Sequence, residues 1–274
     1  MLPIAVSEPA EAQGERRHSL QTLERGMAVI QAFSRERPAL TLSEVAHVTG
    51  ITRASARRIL LTLQELGYVR SDGRIFSPTP RLLRLGWAYL ASLNLSELAM
   101  PLMQDLVDRT MESCAVGVLD VPEVVYIARV PAPRVMSVGP ELGARLPAHN
   151  TSMGRVLLAG LPPEELERYL VTGSSAGMAA LRFDARELRE TLDEVKETGW
   201  ALVDEEFEVG FRSIAAPIKR PDGRAIAAVN LSSTAARVSV GELKTRMVPQ
   251  LLEIADEIST AISQQNQVQV RNLR

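Results

Sequence analysis

The 274-residue sequence predicts an α+β chain of two domains: a small N-terminal unit of short helices closed by a β-hairpin, then a larger domain of mixed strands and helices. Three observations carry that reading. Two glycine stops and a capping motif frame a pair of short helices between Thr41 and Gly67, and a hairpin turn, Ser71-Asp72-Gly73, follows directly. Beyond residue 95, helical periodicities alternate with short β-prone runs, the last two joined by the turn Pro221-Asp222-Gly223-Arg224. Charge divides at the same place: Glu15 to Leu90 holds 12 basic residues, all arginine, against 6 acidic ones, whereas Ala91 to the end holds 19 against 25.

The elements follow in order. Residues 1–14 are Ala-, Pro- and Glu-rich with no apolar period and read as a disordered tail. A first domain is expected over 15–79. Its first helix starts at Ser19, with Leu20, Leu23, Met27, Ile30 and Phe33 at helical spacing. Thr41-Leu42-Ser43-Glu44 is a capping box, and the helix it opens stops at Gly50. Thr52 caps a second helix running to Leu66, with Gly67 as its left-handed stop. Two short helices around a tight glycine turn are a helix-turn-helix, and the hairpin Tyr68–Arg70 with Arg74–Phe76 is its wing.

Pro80 opens a linker helix over 80–94, with Leu82, Leu83, Leu85, Trp87 and Leu90. The second domain, 95–264, begins with a helix near Ser96–Glu112 and strands at Ala115–Leu119, Val124–Val130 and Val135–Val138. Helices follow at Ser152–Leu161, Pro163–Leu170 and Asp184–Thr198, then strands at Ala201–Asp204, Ser213–Lys219 and Ala225–Leu231. A last helix covers Val240–Ile262, and 265–274 read as a flexible tail.

A basic module joined to an acidic remainder is the asymmetry of a nucleic-acid-binding unit carried on a separate domain. On the second helix, Ala56, Ile59, Leu60, Leu63 and Leu66 share the core face. Ala54, Arg57, Arg58 and Leu61 face outward, with Thr52, Arg53 and Ser55 at the first turn. The start of such a helix enters the major groove, where arginine reaches guanine edges or clamps phosphates. Candidate contacts to double-stranded DNA are therefore Thr22, Thr41, Thr52, Arg53, Ala54, Ser55, Arg57 and Arg58, with Arg70 and Arg74 on the wing. The alternatives are a solvated arginine face and a winged helix that binds protein.

Other classes find little support. Cys114 is the single cysteine, so no disulfide forms within the chain. There is no signal-peptide pattern and no apolar run of the roughly 18 residues that a membrane helix needs, so a cytoplasmic protein without membrane contact is expected. His18, His47 and His149 are scattered and no P-loop or dinucleotide fingerprint is present, so no metal and no cofactor is expected. Gly173-Ser174-Ser175-Ala176-Gly177 satisfies the G-x-S-x-G pattern of hydrolases. Yet no histidine follows it and no glycine-rich oxyanion loop precedes it, so a loop is the better reading and no catalytic residue is assigned.

The segment SLQTLERGMAVIQAF…LTLSEVAHVTGITRASARRILLTLQELGYVRSDGRIFSPTPRLLRLG resembles the IclR family of regulators. GARLPAHNTSMGRVLLAGL and GWALVDEEFEVGFRSIAAPI look like the sensor-domain signatures of the same family. TSMGRVLLAGLP and YVRSDGRIFSPTPRLLRLG look most like its Pca/Pob branch, regulators of aromatic-acid catabolism through the β-ketoadipate pathway. The resemblance spans Ser19 to Ile262 and implies a winged helix, a linker helix and a GAF-like effector-binding domain. It also implies a homodimer or homotetramer on a palindromic operator, with RNA polymerase as a further partner in an activator.

By the same resemblance, Leu146, Ala148, Met153 and Gly154 are pocket-wall positions, and Ser213 falls where the family's strand faces the ligand. Asp204 lies in the family's acidic stretch. Asn230 and Ser232 point to one face of the last strand, with Asn230 standing where the family often has serine. A carboxylate effector needs cationic or N–H donors, which makes Arg134, Arg145 and His149 candidates, beside Met136. The effector implied is protocatechuate, 4-hydroxybenzoate or a β-ketoadipate-like dicarboxylic acid. Arg145 on a surface ion pair, His149 as a structural hydrogen-bonder, Met136 and Met153 in the core, and Ser213 and Ser232 as ordinary strand residues are the competing roles.

Overall fold

The computed structural model describes residues 20–34, 36–86, 95–134, 139–174 and 183–272. The chain divides into two compact units, Met1–Tyr89 and Leu90–Arg274.

The first unit runs α1 (Gln21–Gln31), β1 (Leu40–Thr41), α2 (Leu42–Thr49), α3 (Arg53–Glu65), β2 (Val69–Ser71) and β3 (Ile75–Pro78). The local chemistry is the one read from sequence. The Thr41 hydroxyl accepts from the Glu44 N–H, and the Glu44 carboxylate accepts from the Thr41 N–H at 2.7 Å. That backbone bond holds the Glu44 carboxyl below its usual range. Gly50 and Gly67 take φ of 67° and 76°, a conformation glycine adopts without strain. In the wing, the Asp72 carboxylate accepts from the N–H groups of Ile75 and Arg74. β1 pairs with β3 (Leu40↔Phe76) and gives a three-stranded sheet ordered β1-β3-β2. A two-residue strand has no period to read, so sequence gives no sign of it.

Val29, Val45, Ala56, Leu60, Leu63 and Phe76 form the core of this unit. Leu20, Leu23 and Met27 of the helical stripe are 72%, 62% and 44% exposed, and Leu66, expected on the core face, is 51% exposed. Spacing identifies an apolar stripe on a helix but not whether the same chain covers it. After β3 a 3₁₀ turn at Pro80–Leu82 continues helically to residue 86. The rest of the expected linker helix, Trp87 and Leu90 included, lies outside the described residues.

The second unit is built on a six-stranded antiparallel sheet. Its elements are α4 (Leu95–Thr110), β4 (Ser113–Asp120), β5 (Glu123–Val130), β6 (Arg145–Pro147), α5 (Ser152–Ala159), α6 (Pro163–Ser174), α7 (Ala185–Thr198), β7 (Ala201–Asp204), β8 (Phe211–Lys219) and β9 (Ala225–Thr234). The last helix starts at Val240–Glu242, passes a π-helical turn at Leu243–Met247 and continues as α8 (Val248–Asn272). Strand order is β6-β5-β4-β9-β8-β7. The expected strand Val135–Val138 lies outside the described residues. β6 is not among the strands expected from sequence, and α8 runs beyond residue 264, where a flexible tail is expected. Its polar Gln-rich end forms helix readily but shows no apolar period.

Both faces of the sheet are covered. Cys114, Val116, Ile214, Val229 and Leu231 point toward α4 and α8. Their alternate neighbours Ala115, Ala215 and Ala228 point toward α5, α6 and α7. Small residues on this second face admit α5 closely. At Gly117 a Cβ would come 3.0 Å from Met153 Cε of α5, and at Gly154 of α5 it would come 2.0 Å from the Ala148 carbonyl oxygen. Ser213, Asn230 and Ser232 share the parity of Ala215 and Ala228, so they lie on the face that receives α5.

Candidate nucleic-acid interface and effector cavity

In the first unit, α3 presents Arg53, Ala54, Arg57 and Arg58 to solvent, and Arg70 and Arg74 are exposed on the hairpin. Among the described residues no carboxylate pairs with Arg53, Arg57 or Arg58. Unpaired guanidinium groups along the first turns of one helix make a positive surface suited to a polyanion. Thr52 and Thr41 have local duties. Thr52 accepts from the Ser55 N–H at 3.2 Å and donates to the Ser55 hydroxyl, while Thr41 closes the capping box. Thr22 is exposed on α1.

In the second unit, a cavity of about 200 Å³ opens beside the first turn of α5. Tyr126, Leu146, Phe207 and Phe211 wall it, and Asn150 and Ser213 bring polar atoms. The Asn150 Oδ1 is buried with no hydrogen-bond partner. Burial raises the Tyr126 phenol to about 12, so it stays protonated and able to donate. The first-turn N–H groups of α5 have no intrahelical acceptor, apart from that of Gly154, which the Thr151 hydroxyl caps at 3.2 Å. A helix start carries partial positive charge.

The expected ligand residues divide. Leu146 and Ser213 line the cavity. Ala148 and His149 are buried behind it, the His149 ring tilted against Phe183 with centroids 5.0 Å apart. His149 Nδ1 has no partner, and burial, then the Arg155 guanidinium, lowers its pKa. Met153 and Gly154 are packed into the core, and neither lines the cavity. Asn230 is buried and engaged with the sheet: its Oδ1 accepts from the Ala115 N–H and its Nδ2 donates to Ser232.

The cationic candidates are occupied elsewhere. Arg134 donates to the buried Glu112 carboxylate at 2.9 Å and to the Met111 carbonyl. Arg145 bridges Asp120 and Glu123, both at 2.7 Å, on the surface. Asp204 pairs with Arg212. Met136, like Ser175 to Gly177 of the G-x-S-x-G pattern, lies outside the described residues. Among the described residues, no lysine or arginine lines the cavity, and Glu208 borders it.

Tyr126, Asn150, Phe207 and Phe211 were missed. Tyr126 was legible as the core-facing alternate of Val124, and Asn150 as the residue next to His149. Nothing local marks the two phenylalanines: the loop between β7 and β8 brings in Phe207, and Phe211 opens β8. Arg155 was missed as well. It donates to the His149 carbonyl at 3.0 Å, to the Leu202 carbonyl at 3.4 Å and to both oxygens of Glu206 at 3.0 and 2.5 Å. It thereby ties the His149–Thr151 wall to the loop that carries Phe207.

A winged helix with an open arginine face, on a chain with a separate second unit, fits a DNA-binding transcriptional regulator as a class. The comparisons narrow it. Residues 22–73 match the IclR helix-turn-helix domain, and residues 87–260 match the bacterial transcriptional regulator IclR C-terminal domain. The chain belongs to the IclR family of transcriptional regulators. It is 39% identical to the Pca regulon regulatory protein of Pseudomonas putida over 263 residues, covering 94% of this chain and 90% of that one. It is 37% identical to the p-hydroxybenzoate hydroxylase transcriptional activator of Acinetobacter baylyi over 246 residues, 88% and 91% of the two chains. An IclR homolog from Microbacterium hydrocarbonoxydans, crystallised with 4-hydroxybenzoate, superposes with a TM-score of 0.76 at 26% identity, covering 88% of this chain and 98% of that one. No helix among the described residues is long and apolar enough to cross a membrane.

Proposed function

We propose that this chain regulates an aromatic-acid catabolic operon, binding a palindromic promoter site through α3 and the wing and responding to a hydroxylated aromatic monocarboxylate. The aromatic-walled cavity at the start of α5 carries the effector part. An apolar cavity of about 150 Å³ takes up benzene, so about 200 Å³ suits one substituted ring. The carboxylate lies toward Thr151 at the positive end of α5, with the Tyr126 hydroxyl as a donor in place of Arg134 and Arg145. Ring hydroxyls lie within reach of acceptors such as Asn150 Oδ1. With no cation among the described residues of its lining and Glu208 at its border, the cavity favours 4-hydroxybenzoate or protocatechuate over a dicarboxylate such as β-ketoadipate. The names of the Pca and p-hydroxybenzoate regulators and the 4-hydroxybenzoate bound by the Microbacterium homolog support this.

The protein acts as a homodimer or homotetramer, which the exposed stripe Leu20, Leu23 and Met27 supports, and contacts RNA polymerase where it activates. The effector changes promoter binding through unequal affinity for two arrangements of the oligomer.

Calorimetric titration of the full chain with 4-hydroxybenzoate, protocatechuate and β-ketoadipate tests the effector. One of the two aromatic acids binds, and Phe211→Ala weakens it; silence from the whole panel removes the claim. Footprinting of the upstream region tests the other half. Replacing Arg53, Arg57 and Arg58 together with glutamine abolishes protection in a protein that still folds.

A further inference from the structure

A notch of about 200 Å³ lies between α1 and α3 in the first unit. Thr22, Arg25 and Gly26 stand at i, i+3 and i+4 on α1, and Ser55, Arg58 and Thr62 at i, i+3 and i+7 on α3, so one stripe from each helix faces it. Two guanidinium groups open onto this one notch. Among the described residues neither Arg25 nor Arg58 has a carboxylate partner. Like charges gathered without an acid between them repel, and an anion seated there reverses the sign of the interaction.

Gly26 is a separate observation. It sits inside the 11-residue helix α1, where glycine is the least favourable residue after proline. A Cβ at this position would meet nothing within 4 Å, so no packing demand excludes a side chain. What the glycine does leave is bare backbone on the wall of the notch, as a closely approaching ligand requires.

We propose that the notch seats a backbone phosphate of the bound DNA, clamped by Arg25 and Arg58 and admitted by Gly26. This rests on the reading that α3 lies on DNA. Arg58 and Thr62 are past the first turn of α3, away from the N-terminal residues that read base edges. A contact there positions the duplex without reading its sequence. The Ser55 hydroxyl accepts from Thr52 and keeps its own proton to donate to a phosphate oxygen.

The test uses the full chain and a duplex that it enriches from a random-sequence pool, with an unrelated duplex beside it. Arg25→Gln weakens both duplexes by a similar factor and reduces the log–log salt slope by about one. Gly26→Ala keeps or raises the thermal midpoint, because alanine favours helix, yet weakens binding as Arg25→Gln does. Wild-type affinity and salt slope in either variant overturn the proposal, and so does a lowered midpoint for Gly26→Ala. If the wild-type chain enriches no duplex, the DNA reading itself has failed. If it does, and Arg57→Gln weakens binding while Arg25→Gln and Gly26→Ala do not, the notch alone has failed.

Discussion

Arg155→Met should destabilise the second unit far more than Glu206→Gln, although the two residues form one ion pair. The Arg155 side chain is 11% exposed and that of Glu206 is 47% exposed. Screening by solvent on the Glu206 side limits the pair itself to about 1 kcal/mol or less. The guanidinium also serves two carbonyls, His149 at 3.0 Å and Leu202 at 3.4 Å. Hydrogen bonds to a charged donor are worth roughly 1.5–3 kcal/mol each, with the longer one at the low end. Removing Arg155 therefore costs about 3–5 kcal/mol, while Glu206→Gln keeps a hydrogen-bonding partner and costs under about 1 kcal/mol. Urea unfolding at neutral pH, followed by intrinsic fluorescence and far-UV circular dichroism, measures both. A thermal scan should place Arg155→Met about 10 °C or more below wild type. Effector titration adds the functional half. Arg155→Met releases the loop that carries Phe207 and weakens effector binding, whereas Glu206→Gln, which keeps a partner for Arg155, weakens it less. Equal destabilisation by the two substitutions would refute the idea that Arg155 acts mainly through backbone carbonyls.

Two further outcomes follow from packing and titration. Gly154→Ala puts a methyl group 2.0 Å from the Ala148 oxygen, and since the neighbour is backbone it should cost about 3 kcal/mol or more, measured by denaturant unfolding. His149 has its pKa lowered by burial and by Arg155, so below the ordinary value of 6.5 the unfolded chain binds more protons than the folded one. Stability is then flat above that value and falls as pH drops beneath it; His149→Gln should flatten this part of the curve between about pH 7 and pH 5.

The legible parts were those whose physics is local. Thr41 with Glu44, Gly50, Thr52, Gly67 and Asp72 each act within five residues of themselves, and each takes the role its type and spacing imply. The strand alternation that puts Ser213, Asn230 and Ser232 on one face is equally local. The resemblance to a family added the region of the cavity, and Leu146 and Ser213 with it.

Partner choice across the chain was not legible. Arg134 and Arg145 have the chemistry to hold a carboxylate, but Glu112 in one case and Asp120 with Glu123 in the other come within reach only when the sheet forms. Asn230 meets the Ala115 N–H through strand register. Phe207 and Phe211 join Tyr126 because the β7–β8 loop and the start of β8 meet β5 across the cavity. Charge and hydrogen-bonding capacity belong to a residue type and can be read from the letters. Whether that capacity is left over for a ligand depends on distances between segments, which burial and close packing fix only once the chain has folded.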